Sequence, residues 1–352
     1  MEVSQRWLNF LRDEEVDRMP VFPTAMGHCA KIMGASNLGD FYSKPKFCIQ
    51  AHMVAREMYD WDQPPFLIDP GYFTDVWGGK ALLPYNPKAG APMPVEPGAK
   101  TPEELENKEI PDPRTGKWMP EYREMMRLSV EKNQMPYAGI FGGFVSGTAP
   151  MLAPLEEFMI WMIEQPDLAH LALRKTTEFG LAVVESFIED FGSDTWYIFE
   201  GNPTDSNVLM DAKMFEDFPL KHIVGMNKKI VDQGVSIWLH WCADHNANID
   251  AGHVEAIPVG PEGFINFGPE VTMQKQVEKL SYKFRLVGNI NPPLIMTEGY
   301  DEWQDICLKN IEEGKDAKKG YALGVGCELP PPSPPSNVFG MVEAAKKYSQ
   351  EH

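Results

Sequence analysis

The stretch SDTWYIFEGNPTDSNVLMDAKMFEDFPLKHIVGMNKKIVDQGVSIWLHWC, residues 193–242, decides the reading of the fold. Trp196–Phe199 and Ile237–His240 are short aromatic and β-branched runs, apolar on both faces, the pattern of strands buried in a parallel sheet. Ala212–Gln233, between them, carries an amphipathic helical period. Strand, helix and strand in that order make a parallel pair joined by a crossover.

The same alternation continues outward. Pro20–Pro23, Phe66–Ile68 and Tyr137–Phe141 are strand candidates before this unit, and Phe264–Phe267, Arg285–Ile290 and Tyr321–Val325 follow it. Helical patterns cover Leu155–Glu164, Asp167–Phe191, Thr272–Tyr282, Tyr300–Glu313 and Asn337–Glu351. So many strands in strict alternation favour an α/β fold of the (β/α)8 TIM-barrel type over an open doubly wound sheet. Residues 1–352 then read as a single domain. Pro84–Pro120 breaks the rhythm with Pro, Gly and charge, and is expected to be a lid, a hairpin excursion or an oligomer contact such as a homodimer surface.

Composition narrows the partners. With 32 Lys and Arg against 51 Asp and Glu, the formal charge is −19, which argues against nucleic acid and acidic membrane surfaces. The N-terminal MEVSQRWLNFLRDEEVDRMP is charged and amphipathic, unlike a signal peptide. No uncharged apolar run reaches the ~18 residues a bilayer span needs. Five cysteines in 352 residues do not suggest a disulfide framework. The expectation is a cytoplasmic protein with no membrane segment.

In a barrel, chemistry collects just past the C-terminal ends of the strands. Those positions hold His28, Asp69, Phe141, Glu200 and Asn202, then His240, Cys242, Asn266, Asn289 and Cys327. Residues i and i+2 of a strand share a face, so His240 and Cys242 can grip one ion together. With Cys327 they form a Cys2His set that leaves a tetrahedral Zn2+ one open position, the layout of a catalytic site. An ordinary core histidine with buried thiols remains the competing reading of the same spacing.

The chain resembles the uroporphyrinogen decarboxylase superfamily, and within it the cobalamin-dependent methyltransferase branch. The resemblance is carried by Asp17-Arg18-Met19-Pro20, FGGFVSGTAPMLAPLEEFMIWMIEQPD (141–167), EGNPTDS (200–206), His240-x-Cys242, Gly288-Asn289-Ile290 and Gly326-Cys327 before a Pro-rich loop and Asn337. It implies a TIM barrel with zinc on His240, Cys242 and Cys327 at its mouth, and methyl transfer to or from a corrinoid. Decarboxylases of the superfamily hold a polyanionic porphyrinogen with arginines at the mouth. After Arg18 this chain has no arginine before Arg56, so that activity is a distant alternative. No Asp-x-His-x-x-Gly string for base-off cobalamin occurs, so the corrinoid is expected on a separate partner protein.

Two methyl-transfer roles follow from the resemblance. In one, zinc activates a thiol of the coenzyme M type that takes the methyl group of methylcobalamin. In the other, zinc acts on the oxygen of an aryl methyl ether of the guaiacol, vanillate or veratrole type while cob(I)alamin takes the methyl, an O-demethylation. Coenzyme M carries a sulfonate that calls for a cation, which the strand ends lack. An uncharged aromatic ring calls for apolar walls, and the ether is the preferred reading. Candidate substrate contacts are Phe22, Met26, His28, Phe141, Asn202, Trp241, Asn266 and Asn289, with Phe144 and Phe267 nearby. Glu200 is read as a fourth zinc ligand or a proton donor, and Asp244 and His245 as groups that could orient the ligands. A non-enzymatic zinc scaffold is a further alternative.

Overall fold

The computed structural model describes residues 1 and 3–351. Seven parallel strands run in the order β1 (Phe66–Leu67), β4 (Tyr137–Gly139), β5 (Tyr197–Gly201), β6 (Ile237–Trp241), β7 (Phe264–Phe267), β8 (Arg285–Val287) and β9 (Tyr321–Ala322). The two remaining strands, β2 (Lys80–Leu82) and β3 (Met93–Glu96), form a separate antiparallel hairpin. Helices intervene between the parallel strands, so the sheet curls into a TIM-barrel-like α/β fold. The first strand candidate, Pro20–Pro23, contributes only a bridge between Val21 and Leu323. Its prolines have no N–H for a ladder, yet Phe22 N donates to Leu323 O at 2.8 Å and Leu323 N to Pro20 O at 2.9 Å.

Inward side chains fill the lower part of the curl. Phe22, Tyr137, Trp238 and Phe264 meet with ring centroids 4.9–5.8 Å apart. Trp7, on the amphipathic helix Val3–Leu11, plugs the bottom, its Nε1–H donating to the Tyr137 hydroxyl at 3.0 Å. The buried Asp62 carboxylate locks this end by accepting from Arg6 at 2.7 Å, Arg18 at 2.8 Å and Val21 N at 2.8 Å. Arg18 is therefore committed to the base of the fold, away from the mouth.

Helix Leu155–Glu164 has the bounds read from its period, and the long helix after it starts at Pro166, where a missing N–H costs nothing. The helix over 212–232 widens into a π turn at Glu216–Leu220, around Pro219. Helix Pro45–Tyr59 holds Cys48, which the sequence places within a helical pattern, whereas helix Met119–Glu131 is not expected from the sequence. The insertion holds part of a hairpin excursion: β2 lies wholly before the predicted Pro84 boundary, β3 falls inside it, and helix Pro102–Asn107 follows, capped by Thr101. No described helix is long and apolar enough to cross a membrane. All five cysteines are free.

Candidate metal centre

Strand parity builds the site. On β6, Trp238 and His240 face inward, Trp238 packing 4.7 Å from Phe199 and His240 lying above it. Cys242 follows two residues on, and Cys327 arrives from the segment after β9. The ligand atoms of His240, Cys242 and Cys327 all lie within 4.8 Å of one another. Tetrahedral zinc with Zn–S near 2.3 Å and Zn–N near 2.0 Å needs ligand separations of roughly 3.5–4 Å. The donor set fits a zinc ion in both chemistry and reach.

Asn266, paired with His240 in the β6–β7 register, sets the imidazole tautomer. Its Nδ2 donates to Val287 O at 2.9 Å and Val325 O at 3.3 Å, so its Oδ1 is left to accept from His240 Nδ1 at 2.5 Å. The proton is thereby held on Nδ1, and Nε2 keeps the lone pair a metal requires. The two thiols polarise each other: hydrogen bonding pulls Cys327 down toward thiolate and pushes Cys242 up.

The triad borders a cavity of about 340 Å³. Its walls are apolar: Met26, Phe66, Ile68, Phe141 and Phe199, with Pro92, Met93 and Pro94 of the hairpin alongside. Besides the triad, Thr24, Tyr72, Ser146 and Glu328 are polar exceptions, and no lining residue is Lys or Arg. Glu328 follows Cys327 directly. Its Oε1 accepts from Gly27 N at 3.0 Å, and burial pushes its carboxyl up to about 8. Asp205 joins the β5 loop to the helix Val145–Met151 by accepting from Val145 N, Ser146 N and Ser146 Oγ at 2.8–2.9 Å.

Several predicted contacts lie elsewhere. Glu200 does not join the metal group: Gly201, not Glu200, pairs with His240, and the Glu200 carboxylate turns to the helix side, where Asn227 Nδ2 donates to it at 2.9 Å. Trp241 also points outward, onto Phe215 and His245, and Asn202 accompanies it as an acceptor for the indole N–H. Both are one residue out of phase with the inward column. Phe22 belongs to the packed base of the curl. His28 bridges Tyr59 Oη at 3.0 Å and Pro331 O at 3.1 Å, joining a helix to the Pro-rich loop. Asn289 donates to Gly268 O at 3.0 Å and Val271 O at 2.6 Å, holding the loop after β7. None of these six lines the cavity.

Phe144 and Phe267 are likewise core, and Asp69 uses Oδ1 to hold the turn at Gly71 and Phe73. Asp244 caps its own loop through Asn246, while His245 is buried behind Trp241. Of the predicted substrate contacts, Met26 and Phe141 line the cavity, and Asn266 acts through His240. Thr24, Ile68, Tyr72, Ser146, Phe199 and Glu328 were missed. Glu328 could have been found from its adjacency to Cys327, and Phe199 from its parity with Gly201.

Residues 3–348 match the sequence model of the family described as uroporphyrinogen decarboxylase (URO-D). The chain belongs to that family. A curated relative, the methylcobamide:CoM methyltransferase MtbA of Methanosarcina mazei, is 30% identical over 189 residues, 52% of this chain and 50% of the relative. The match thus spans about half the length of that protein. A solved methyltransferase structure from Methanosarcina mazei superposes with a TM-score of 0.81 over 99% of both chains, at 21% identity. That likeness establishes the fold of this URO-D member and leaves its reaction to be argued from the site.

Proposed function

We propose that this URO-D member is a corrinoid-dependent methyltransferase that uses zinc on His240, Cys242 and Cys327 to demethylate an uncharged aryl methyl ether. The methyl group passes to cob(I)alamin carried by a separate corrinoid protein. The observation that carries this reading is an aromatic, cation-free cavity opening directly beside the metal ligands. When bound, zinc supplies a Lewis acid for the ether oxygen, whose phenolate is otherwise a poor leaving group.

The chain's own residues do the rest. Phe66, Phe141 and Phe199 offer ring faces and edges to an aromatic substrate. Asn266 keeps His240 in the ligating tautomer, and the hairpin residues Pro92–Pro94 shield the wall from water. Beside the cavity stand the exposed apolar side chains Met93, Val95 and Leu155, suited to a docked corrinoid protein. The β5–β6 unit and its neighbours are read as a closed (β/α)8 barrel, with Pro20–Phe22 in the first strand position.

A second reading, methylcobamide:thiol methyl transfer, is favoured by the likeness to MtbA, whose name gives methylcobamide and CoM as its reactants. Two thiolate ligands also suit a thiol acceptor by blunting the Lewis acidity of the ion. A sulfonate, however, finds no cation in this cavity. The readings separate on incubating the zinc-loaded protein with guaiacol or veratrole and cob(I)alamin, and separately with methylcobalamin and coenzyme M. Methylcobalamin formation from the ether is expected. Thiol methylation without ether cleavage would overturn the proposal.

A further inference from the structure

The two sulfurs of the metal centre are brought together by backbone contacts that need no ion. Cys242 follows β6, Cys327 follows β9, and Gly268, just past β7, touches the segments of both. A Cβ added to Gly268 would meet Ala243 N at 2.9 Å and Cys242 Cα at 3.4 Å. One added to Gly326 would meet Phe267 O at 3.0 Å and Gly268 Cα at 3.1 Å. Three main chains therefore approach where any larger residue would part them. Hydrogen bonds fasten the arrangement, Gly268 N donating to Trp241 O at 3.3 Å and Gly326 N to Ile290 O at 2.8 Å. The two sulfurs lie within 4.8 Å of each other, and a disulfide closes at about 2 Å. Cys242 and Cys327 are half-buried and line the cavity, whereas Cys29, Cys48 and Cys307 are buried.

We infer that Cys242 and Cys327 are a reversible oxidative switch, in which a peroxide entering the cavity joins them as a disulfide and dismantles the metal site. One thiolate attacks an oxygen of the peroxide, the O–O bond breaks, and hydroxide leaves a sulfenic acid behind. The second thiolate attacks that sulfur, the S–O bond breaks and a second hydroxide leaves. Each hydroxide takes a proton from solvent, so two electrons have passed from the sulfurs to the peroxide and two waters result. His240 is then the only one of the three ligands left, too few to hold zinc. A thiol reductant reverses the bond by exchange. Both methyl-transfer readings use the same three ligands, so the switch holds for either.

The test treats the zinc-loaded wild-type protein with excess hydrogen peroxide beside a chromophoric zinc chelator. Free thiols are then counted under denaturing conditions, and cross-linked peptides are mapped by mass spectrometry. One zinc should be released as the free thiols fall from five to three, with a single cross-link joining the peptides of Cys242 and Cys327. A dithiol reductant with added zinc should restore all five thiols and the bound metal. Protein stripped of zinc beforehand should form the same cross-link. Sulfinic or sulfonic acid on either cysteine without a cross-link overturns the switch. So does oxidation of Cys29, Cys48 or Cys307 in their place, or retention of zinc with five free thiols. These readouts need no methyl donor, so absence of methyl transfer by the reduced, zinc-loaded protein would overturn the proposed function and leave the switch standing.

Discussion

Asn266 and Glu200 are both buried polar residues at strand ends, and parity gives them opposite duties. Asn266 faces inward and spends its amide on two carbonyls and one imidazole. Replacing it with Ala frees His240 to rotate and to change tautomer, so zinc affinity should fall ~10–100-fold, as read by competition with a chromophoric chelator. Glu200 faces outward, and burial pushes its carboxyl from 4.5 to about 8. A raised folded pKa stabilises the fold fully below pH 4.5 and loses that contribution as pH rises through 8. Glu200→Gln removes the titration while keeping shape. The variant should bind zinc as the wild type does, and should lose less stability between pH 5 and 8.5, by up to a few kcal/mol. Urea midpoints at the two pH values measure it. A loss of zinc in that variant would return Glu200 to the metal.

At the scale of elements, the hairpin β2–β3 is the part of the insertion that reaches the chemistry. Pro92, Met93 and Pro94 line the cavity, whereas Pro84 O anchors the hairpin base by accepting from Leu38 N at 3.2 Å and Gly39 N at 3.0 Å. Replacing residues 85–95 by a short Gly-Ser turn keeps that anchor and removes one wall. Met93 is itself more than half exposed, so with Pro92 and Pro94 it supplies part of the about 1.5–3 kcal/mol that complete burial of one apolar side chain is worth. The ether KM should rise about tenfold or more, with zinc content unchanged, in steady-state assays over a substrate series. Unchanged KM would make the hairpin a bystander. Sequence showed where this element was but not what it did. Pro and Gly mark a departure from the helical period, while the facing of three residues onto a cavity depends on contacts with no local signature. The opposite holds for the triad, because i and i+2 on a strand share a face wherever the strand lies. Trp241 and Asn202 were misplaced by ignoring that same rule.

Across the whole molecule, the packed interior and the metal-bearing mouth are separate constructions, and their responses to solution conditions should separate too. His52 belongs to the packed interior and does not line the cavity: it is buried, donates from Nε2 to Phe66 O at 3.2 Å, and faces the Cys29 thiol with Nδ1 at 3.7 Å. Burial lowers its pKa from 6.5 to about 4. A depressed imidazole takes up its proton in the unfolded chain first, so stability present above pH 6.5 is lost as pH falls toward 4, by about 3 kcal/mol at most. His52→Gln should flatten that decline in denaturation midpoints taken at pH 7 and pH 4.5.

The mouth, by contrast, should answer to chelators. Its three ligands come from the ends of β6 and β9, which are not neighbours in the sheet, and the rings beneath them pack without the metal. Chelation should therefore abolish methyl transfer, leave far-ultraviolet circular dichroism and cooperative unfolding in place, and be reversed by added zinc. It should also expose the half-buried thiols Cys242 and Cys327 to an aromatic disulfide reagent, since Cys29, Cys48 and Cys307 are buried. Unfolding on chelation, with all five thiols reacting together, would make the metal a structural pin and the barrel a scaffold.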